Sequence, residues 1–224
     1  MPDRVVVFLD YQNVYRRARG AFLLESGPPQ LGQVDPLRLG QLIVSRSPFD
    51  RELLQVRVYR GQPDASKDPT GYGANLRQCD AWRRLPKVQV VTRTLRYPPG
   101  WPTCAPGERP QEKGIDVALA IDFVAMAVRG EYDVGVIMST DTDLKPALET
   151  VRGLGGRPRC EVAAWSARQG HSRRLAIPGA RIWCHWLDER DYRAVEDLTD
   201  YGQRNHRPPD HRRSVRIVGT QDHR

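Results

Sequence analysis

The sequence predicts an α/β fold, a three-layer α/β/α sandwich with a mostly parallel central sheet. Short apolar runs typical of buried strands recur along the chain, and segments of helical periodicity separate them. Alternation of strands and helices favours parallel pairing through right-handed crossovers, which places helices on both faces of the sheet. The chain of 224 residues is long enough for one large domain of this kind.

The predicted elements follow one another with short connections. The predicted strands cover residues 4–10, 53–59, 88–95, 134–138, 160–165 and 182–186. The predicted helices cover residues 11–19, 37–44, 71–85, 115–129 and 144–154. Gly/Pro-rich loops occupy residues 27–36 and 97–110. The apolar period disappears near residue 199, so we expect a folded domain over 1–198 and a basic, flexible C-terminal tail over 199–224.

The charge of the chain is strongly basic and is carried mostly by arginine. The formal net charge is +8, and of the 35 Lys and Arg residues only Lys67, Lys87, Lys113 and Lys145 are lysines. Because arginine forms bidentate contacts with phosphate, this composition indicates an acidic polymer as partner, with nucleic acid first. The alternative is that the arginine excess reflects genome base composition alone.

Several classes of protein do not fit the sequence. No apolar run approaches the roughly 20 residues of a membrane span, so no membrane partner is expected. The apolar segment 5–9 is too short for a signal peptide and ends at Asp10. The four cysteines (Cys79, Cys104, Cys160 and Cys184) are widely spaced and form no CxxC pair, which argues against a zinc site or a disulfide framework. A reducing, cytoplasmic location follows as the expectation.

Acidic residues follow two of the predicted strands. Asp10 ends the first strand, and Asp141 and Asp143 follow the fourth. Ligands of open parallel sheets bind at the carboxyl ends of the strands. If the first and fourth strands are neighbours, these carboxylates meet at one edge. Two of these acids have an alternative structural role, because Asp10 and Asp143 can cap the helices that follow them.

The helix predicted before the fourth strand adds two further acids. Asp116 lies in its first turn, where a carboxylate interacts well with the helix dipole and can act as a cap. From residue 117 to 128 every side chain is apolar except that of Asp122, so we expect a helix that is buried on all sides. For Asp122 two roles stay open: a hydrogen bond to the backbone or a basic side chain, or a supporting place beside the acidic edge.

Three or four carboxylates at one edge repel one another unless they bind a cation or take up protons. Hard cations such as Mg²⁺ and Mn²⁺ prefer oxygen ligands and leave coordination positions for water and substrate phosphates. Such a site can activate water and polarise a phosphodiester.

Three segments resemble the NYN domain family, in the LabA-like branch of the PIN-like ribonucleases. Residues 6–14, with Asp10 and Asn13, are similar to the family's first-strand signature. Residues 113–122, with Asp116 and Asp122, are similar to its lysine–aspartate–aspartate helix, and residues 139–144 to its acidic turn. The three segments occur in the family's order and extend the resemblance over about residues 5–186.

This resemblance implies a PIN-like sandwich and a metal-dependent endoribonuclease that uses Mg²⁺ or Mn²⁺. Asp10, Asp116 and Asp141 would hold the metal, with Asp143 and Asp122 completing the acidic cluster. Asn13 would orient a water or the phosphate. Hydrolysis would leave a 5′-phosphate and a 3′-hydroxyl on the RNA. The resemblance also implies that the chain can pair into a homodimer.

Basic and aromatic residues outside these motifs are candidates for RNA contact. Lys113 and nearby arginines can neutralise phosphate, and Arg173 and Arg174 lie in a basic segment. Arg96 immediately precedes the proline-rich loop 97–110, and Trp101 lies within it, where it either stacks on a base or anchors the packing. The arginine- and histidine-rich tail either contacts phosphate or is a solvated terminus.

Two other functions compete with the nuclease. The same fold can be a weakly active or inactive module that binds RNA or protein, although clustered acids would contribute little to such a module. A haloacid-dehalogenase phosphatase also begins with a strand-end aspartate. That family has a second aspartate two residues later, where this chain has Gln12.

Overall fold

The central sheet contains six strands that all run parallel, in the order β3-β2-β1-β4-β5-β6. The structure is a computed structural model that describes residues 1–105, 107–156 and 158–203. The strands are β1 (Asp3–Asp10), β2 (Arg51–Gln62), β3 (Val88–Thr94), β4 (Val134–Met138), β5 (Arg159–Trp165) and β6 (Cys184–Leu187). The predicted α/β fold is confirmed, and β1 and β4 are neighbours, as the acidic edge requires.

Helices cover both faces of the sheet, which gives the three-layer sandwich of PIN-like domains. They are α1 (Tyr11–Ala21), α2 (Pro36–Ser45), α3 (Pro69–Arg83), α4 (Ile115–Val128), α5 (Lys145–Gly153) and α6 (Glu189–Val195). A short 3₁₀ turn, Thr142–Leu144, joins β4 to α5. Side chains of α1, α2, α3 and α6 share one core cluster, and those of α4 and α5 share the other.

Strand β1 lies at the centre of both cores. Val5, Val7 and Leu9 belong to one cluster, whereas Val6 and Phe8 belong to the other. All five side chains are buried because alternate residues of a strand point to opposite faces of the sheet. The buried apolar run ends at Asp10, which places this carboxylate at the carboxyl end of the strand.

Helix α4 differs from its prediction as a helix buried on all sides. Leu119 and Phe123 are buried against the sheet, but Val117, Ile121 and Val128 expose 53%, 59% and 66% of their surface. The helix lies in an outer layer, so only one of its faces meets the core. The nearly all-apolar sequence of α4 is compatible with both a central helix and an outer one, so the sequence alone did not distinguish the two positions.

In the C-terminal part of the described chain, the sequence interpretation missed the helix α6. Described residues just beyond the predicted boundary at 198 form hydrogen bonds with the rest of the domain. The Gln33 amide donates to the Thr199 carbonyl, and the Arg77 guanidinium donates to the carbonyls of Tyr201 and Gly202. The remainder of the predicted tail, residues 204–224, lies outside the described residues. Within the described part of the chain, no helix has both the length and the apolar content to cross a membrane.

Gly135 in β4 packs closely against the side chains beneath α4. A Cβ atom there would lie 2.6 Å from Phe123 and 2.8 Å from Tyr132. We expect Gly135→Ala to lower the free energy of unfolding by about 1–3 kcal/mol, the usual cost of overpacking a core. Chemical denaturation measures the change. Gly153→Ala is the matched control, because a Cβ atom at Gly153 has no neighbour within 4 Å. Equal stability of the two variants would contradict this packing.

Candidate active site

A chain of hydrogen bonds joins the ends of β1 and β4. The Ser139 hydroxyl donates to Asp10 Oδ2 at 2.8 Å and accepts from the Asp141 backbone N–H at 3.0 Å. Asp10 Oδ1 accepts from the Asn13 N–H at 3.2 Å and caps α1, so the predicted cap is present. These bonds fix the Asp10 carboxylate relative to the Asp141 backbone and leave some acceptor positions of that carboxylate free.

Asn13 and Arg17 tie α1 to the turn after β4. The Asn13 side-chain oxygen accepts from the Thr140 N–H at 3.1 Å and from the Thr140 hydroxyl at 3.2 Å. Arg17 Nε donates to the same hydroxyl at 2.8 Å. Asn13 therefore positions the site in this structure, and its predicted contact with water or phosphate stays a prediction.

Glu112 is a further acid at this edge, and the sequence interpretation missed it. Its Oε1 accepts from the Gly61 N–H at the end of β2, next to β1. A Cβ atom at Gly61 would lie 2.7 Å from the Glu112 side chain, so glycine at this position permits the close approach. Glu112 thus reaches the carboxyl edge from the segment that precedes α4.

Asp10, Glu112 and Asp141 line one cavity of about 390 Å³, together with Gln12, Asn13, Arg16 and Arg17. We call this space the acidic cavity. Among the described residues, no three His, Cys, Asp or Glu side chains lie close enough together to hold one metal ion. Mg²⁺ needs only one or two carboxylates and takes its other ligands from water and substrate phosphates. The oxygen donors of the cavity therefore fit such an ion.

Burial and mutual repulsion raise the pKa of two of these acids. For Asp10 the largest cause is desolvation, and the charges of Asp141 and Asp116 add to it. Hydrogen bonds from Ser139 and Asn13 act in the opposite direction. Desolvation also raises the pKa of Glu112, with a contribution from the Asp10 charge. An uncompensated negative charge is therefore unfavourable here, which is the condition under which a cation is attracted.

The metal-free protein should become more stable when Asp10 is replaced by asparagine. An acid whose pKa is raised on folding costs stability once it ionises, and this cost appears as the pH rises above its unfolded-state pKa. In EDTA at pH 7, Asp10→Asn should therefore unfold at a higher temperature than the wild type. The difference should shrink as the pH falls and the wild-type carboxyl becomes protonated. A variant less stable than the wild type at pH 7 would show that Asp10 is mainly structural.

The other predicted acids occupy different surroundings. Asp116 lies in the first turn of α4, and its charge acts on Asp10. Asp116 does not cap the helix, because the N-cap residue of α4 is Gly114 and no side chain forms a capping hydrogen bond there. Asp143 is exposed, and the cap of the turn after β4 is Asp141, which accepts from the Asp143 N–H. The alternative role of Asp143, as the cap of the helix that follows it, is not present, because the N-cap of α5 is Leu144 and no side chain caps that helix.

Asp122 forms part of a separate polar network. Its Oδ2 accepts from Arg57 at 2.6 Å and from the Tyr59 hydroxyl at 2.7 Å. These bonds hold the pKa of Asp122 below its usual range although burial opposes the shift. Of the two roles left open for Asp122, the structure therefore favours the hydrogen bond to a basic side chain over a place beside the acidic edge.

The predicted RNA-contacting residues separate into two groups. Arg173 is exposed and lines a cleft beside the acidic cavity, and Arg96 lines a second cleft on its other side. Lys113 is exposed in the segment between Glu112 and α4. In contrast, Arg174 donates to the Ile182 carbonyl at 3.0 Å. Trp101 packs on Tyr97, and its indole N–H donates to the Lys67 carbonyl. Of the two roles considered for Trp101, the structure therefore favours packing over stacking on a base.

Arg16 and Arg17 are two further basic residues at the cavity that the sequence interpretation did not select. The sequence contained a signal for both arginines: they follow Asn13 by three and four residues, so they share its side of the predicted helix α1. The acidic position of Glu112 had no comparable signal. It depends on how the segment before α4 folds back over β2.

The fold and this site define a parallel α/β domain of the PIN-like type, with an acidic cavity at the carboxyl edge of its sheet. The sequence model of the NYN domain matches residues 4–175, and the chain belongs to this family. NYN domains are PIN-like nuclease domains that generally use divalent metals. The chain is also similar to the crystal structure of a protein of unknown function from Vibrio parahaemolyticus. That protein is 18% identical, with a TM-score of 0.42 over 73% of this chain and 81% of the other. No match to a curated protein is found.

Proposed function

We propose that this chain is a metal-dependent endoribonuclease that hydrolyses RNA phosphodiester bonds with Mg²⁺ or Mn²⁺. The observation that carries the proposal is the acidic cavity itself, where Asp10, Glu112 and Asp141 meet beside Arg16 and Arg17. Acids and arginines in one cavity match a cation and a phosphate, the two partners that phosphodiester hydrolysis brings together. Membership of the NYN family supports the same function.

The acids divide into direct and supporting roles in this proposal. Asp10 and Asp141 would hold the cation from the ends of β1 and β4, and Asp116 and Glu112 would act on it through bound water. Ser139 and Asn13 orient Asp10 by the hydrogen bonds described above, as outer partners orient metal ligands generally. A bound Mg²⁺ or Mn²⁺ would supply Lewis-acid polarisation of the phosphodiester and activation of water.

Arginine side chains would position the phosphate. Arg17 is anchored to Thr140, so its guanidinium is held at the entrance of the acidic cavity. Arg16 lies one residue earlier on the same exposed side of α1. A guanidinium can form two parallel bonds with a phosphate, which fixes the orientation of the phosphodiester relative to the carboxylates.

Cleavage of labelled RNA in defined metal conditions tests the proposal. The purified chain is incubated with 5′-labelled single-stranded and structured RNAs in Mg²⁺, Mn²⁺ or EDTA. We expect internal cuts in either metal, none in EDTA, and products with a 5′-phosphate and a 3′-hydroxyl. Undiminished cleavage in EDTA would reject a metal-dependent reaction. RNA binding without cleavage in any metal would instead support a binding module with the same fold.

A further inference from the structure

A second pocket lies at the amino edge of the sheet, opposite the acidic cavity. It measures about 310 Å³ and is formed by residues that precede β2, β5 and β6. We call it the amino-edge pocket; its lining includes Phe49, Arg152, Arg159, Arg181 and Trp183. Strand β5 has seven residues, so it separates the two edges of the sheet by about 20 Å. The amino-edge pocket is therefore distinct from the candidate active site.

Two half-exposed aromatic rings meet at the amino-edge pocket. Phe49 and Trp183 each expose 48% of their surface. Their ring centroids lie 6.1 Å apart, and the ring planes are inclined at 70° to each other, so the rings form a corner. A planar group in this corner can stack on one ring and meet the edge of the other, and both arrangements are favourable for aromatic groups. The corner therefore suits a flat aromatic ligand.

Buried charged side chains hold both rings in place. Arg51 Cζ lies 4.8 Å from the centre of the Phe49 ring, and the His185 ring centroid lies 6.3 Å from that of Trp183. Glu161 pairs with both Arg51 and His185. One buried triad thus supports the two rings of the corner. Side chains that are held in position before a ligand arrives lose less conformational entropy when it binds.

The amino-edge pocket also carries an excess of positive charge. Arg152 and Arg181 are exposed at its wall and form no ion pair with an acid of the described residues. Glu161 lines the pocket as well, but Arg51 already balances its charge. Guanidinium groups bind phosphate through two parallel hydrogen bonds. Two free arginines beside an aromatic corner therefore suit a flat ligand that carries a phosphate.

We propose that the amino-edge pocket binds one free nucleotide, with its base against Trp183 and Phe49 and its phosphate at Arg152 and Arg181. A volume of about 310 Å³ suits a single small ligand. A nucleotide combines the planar base that the corner accepts with the anion that the arginines attract. Arg181 and Trp183 lie beyond residue 175, where the match to the NYN domain ends. The proposal does not depend on nuclease activity.

Isothermal titration calorimetry of the full chain in EDTA tests this proposal. The probes are AMP, GMP, CMP and UMP, together with adenosine and ribose 5-phosphate. We expect AMP and GMP to bind with dissociation constants below about 1 mM. Adenosine and ribose 5-phosphate should each bind at least about tenfold more weakly than AMP, because each keeps only one of the two recognised groups. Binding of ribose 5-phosphate as tight as that of AMP, or no binding of any nucleotide, would overturn the proposal.

Trp183→Ala and Arg181→Ala test the two halves of the amino-edge pocket. Each should weaken AMP binding about tenfold, the usual effect of losing one stacking contact or one charge-assisted contact to phosphate. Trp186→Ala and Arg190→Ala are the matched controls, because both residues are exposed and neither lines the pocket. The controls should bind AMP as the wild type does. Equal affinity of all four variants for AMP would reject the pocket.

Two further measurements separate this pocket from other sites for the same chemistry. Arg17→Ala removes an arginine of the acidic cavity and should leave AMP binding unchanged. Loss of AMP binding in Arg17→Ala but not in Trp183→Ala would place the nucleotide at the carboxyl edge and contradict the proposal. A 5′-phosphorylated trinucleotide should gain no affinity over AMP through Trp183. Binding of the trinucleotide that depends on Trp183 and is more than about tenfold tighter than that of AMP would replace the free nucleotide by the end of an RNA strand.

Discussion

Replacing Asp141 by asparagine is expected to lower metal-dependent RNA cleavage at least about 100-fold, because even outer partners of metal ligands cost 10- to 100-fold. Asp141 lines the acidic cavity, and asparagine keeps its size and its capping oxygen but removes the charge. Single-turnover rates of the wild type and the variant in saturating Mn²⁺ measure the effect. Thermal unfolding of both proteins verifies that the variant is folded.

Asp143→Asn is the neighbouring control. Asp143 is exposed, so we expect its loss to change the rate no more than about twofold, as for ordinary surface substitutions. The two substitutions remove the same charge within one turn of chain. Equal losses of cleavage rate in both variants would show that the cavity does not distinguish these acids and would support a place for Asp143 in the acidic cluster.

Glu161→Ala is expected to destabilise the protein by about 3–5 kcal/mol, the usual cost of breaking a buried ion pair. Glu161 accepts two bonds from Arg51, and His185 Nε2 lies 2.8 Å from Glu161 Oε2. The side chains of Arg51, Glu161 and His185 are 1%, 7% and 3% exposed. Removing the carboxylate leaves the Arg51 charge buried without its partner. Chemical denaturation at pH 7 measures the loss.

The pH dependence of this stabilisation has a definite sign. Burial alone would raise the pKa of Glu161, but the bonds from His185 and Arg51 outweigh it and hold the pKa below its usual range. The stabilisation that ionised Glu161 gives the folded protein is therefore complete above the unfolded-state pKa of about 4.3. It is lost as the pH falls through the lower folded-state pKa. The difference in the free energy of unfolding between the wild type and Glu161→Ala should therefore become smaller at acidic pH.

Glu149→Ala provides the comparison for this prediction, since Glu149 is exposed on α5 and should change stability by no more than about 0.5 kcal/mol. A Glu161→Ala protein as stable as Glu149→Ala at pH 7 would mean that the buried triad contributes nothing. His185 packs in β6, beside Glu161.

The positions of Asp10 and Asp141 at the ends of two strands followed from local sequence, because an apolar run that ends in an acid indicates both a buried strand and the chemistry at its end. The sequence left open whether these two strands are neighbours, and the pairing of β1 with β4 comes from the structure. The helix α6 was missed since it is short and polar. Its signal was the capping box of Asp188 and Asp191, which a search for apolar periodicity passes over.

Long-range placement could not be obtained in the same way. Glu112 reaches the acidic cavity only because Gly61 has no side chain and the segment before α4 crosses the end of β2. Asp122 has the same residue type as Asp116 and lies on the same helix, but Arg57 and Tyr59 engage it. Which acid meets which partner depends on the packing of strands far apart in sequence.

Binding of Mn²⁺ to the RNA-free protein tests the acidic cavity most directly. The chain is stripped with EDTA, dialysed and titrated with Mn²⁺ while electron paramagnetic resonance follows the free ion. The wild type should bind Mn²⁺ in competition with Mg²⁺, and Asp10→Asn and Asp141→Asn should each weaken binding about tenfold or more. Asp143→Asn should bind as the wild type does. Binding by the wild type no tighter than by Asp10→Asn would contradict a metal site at the ends of β1 and β4.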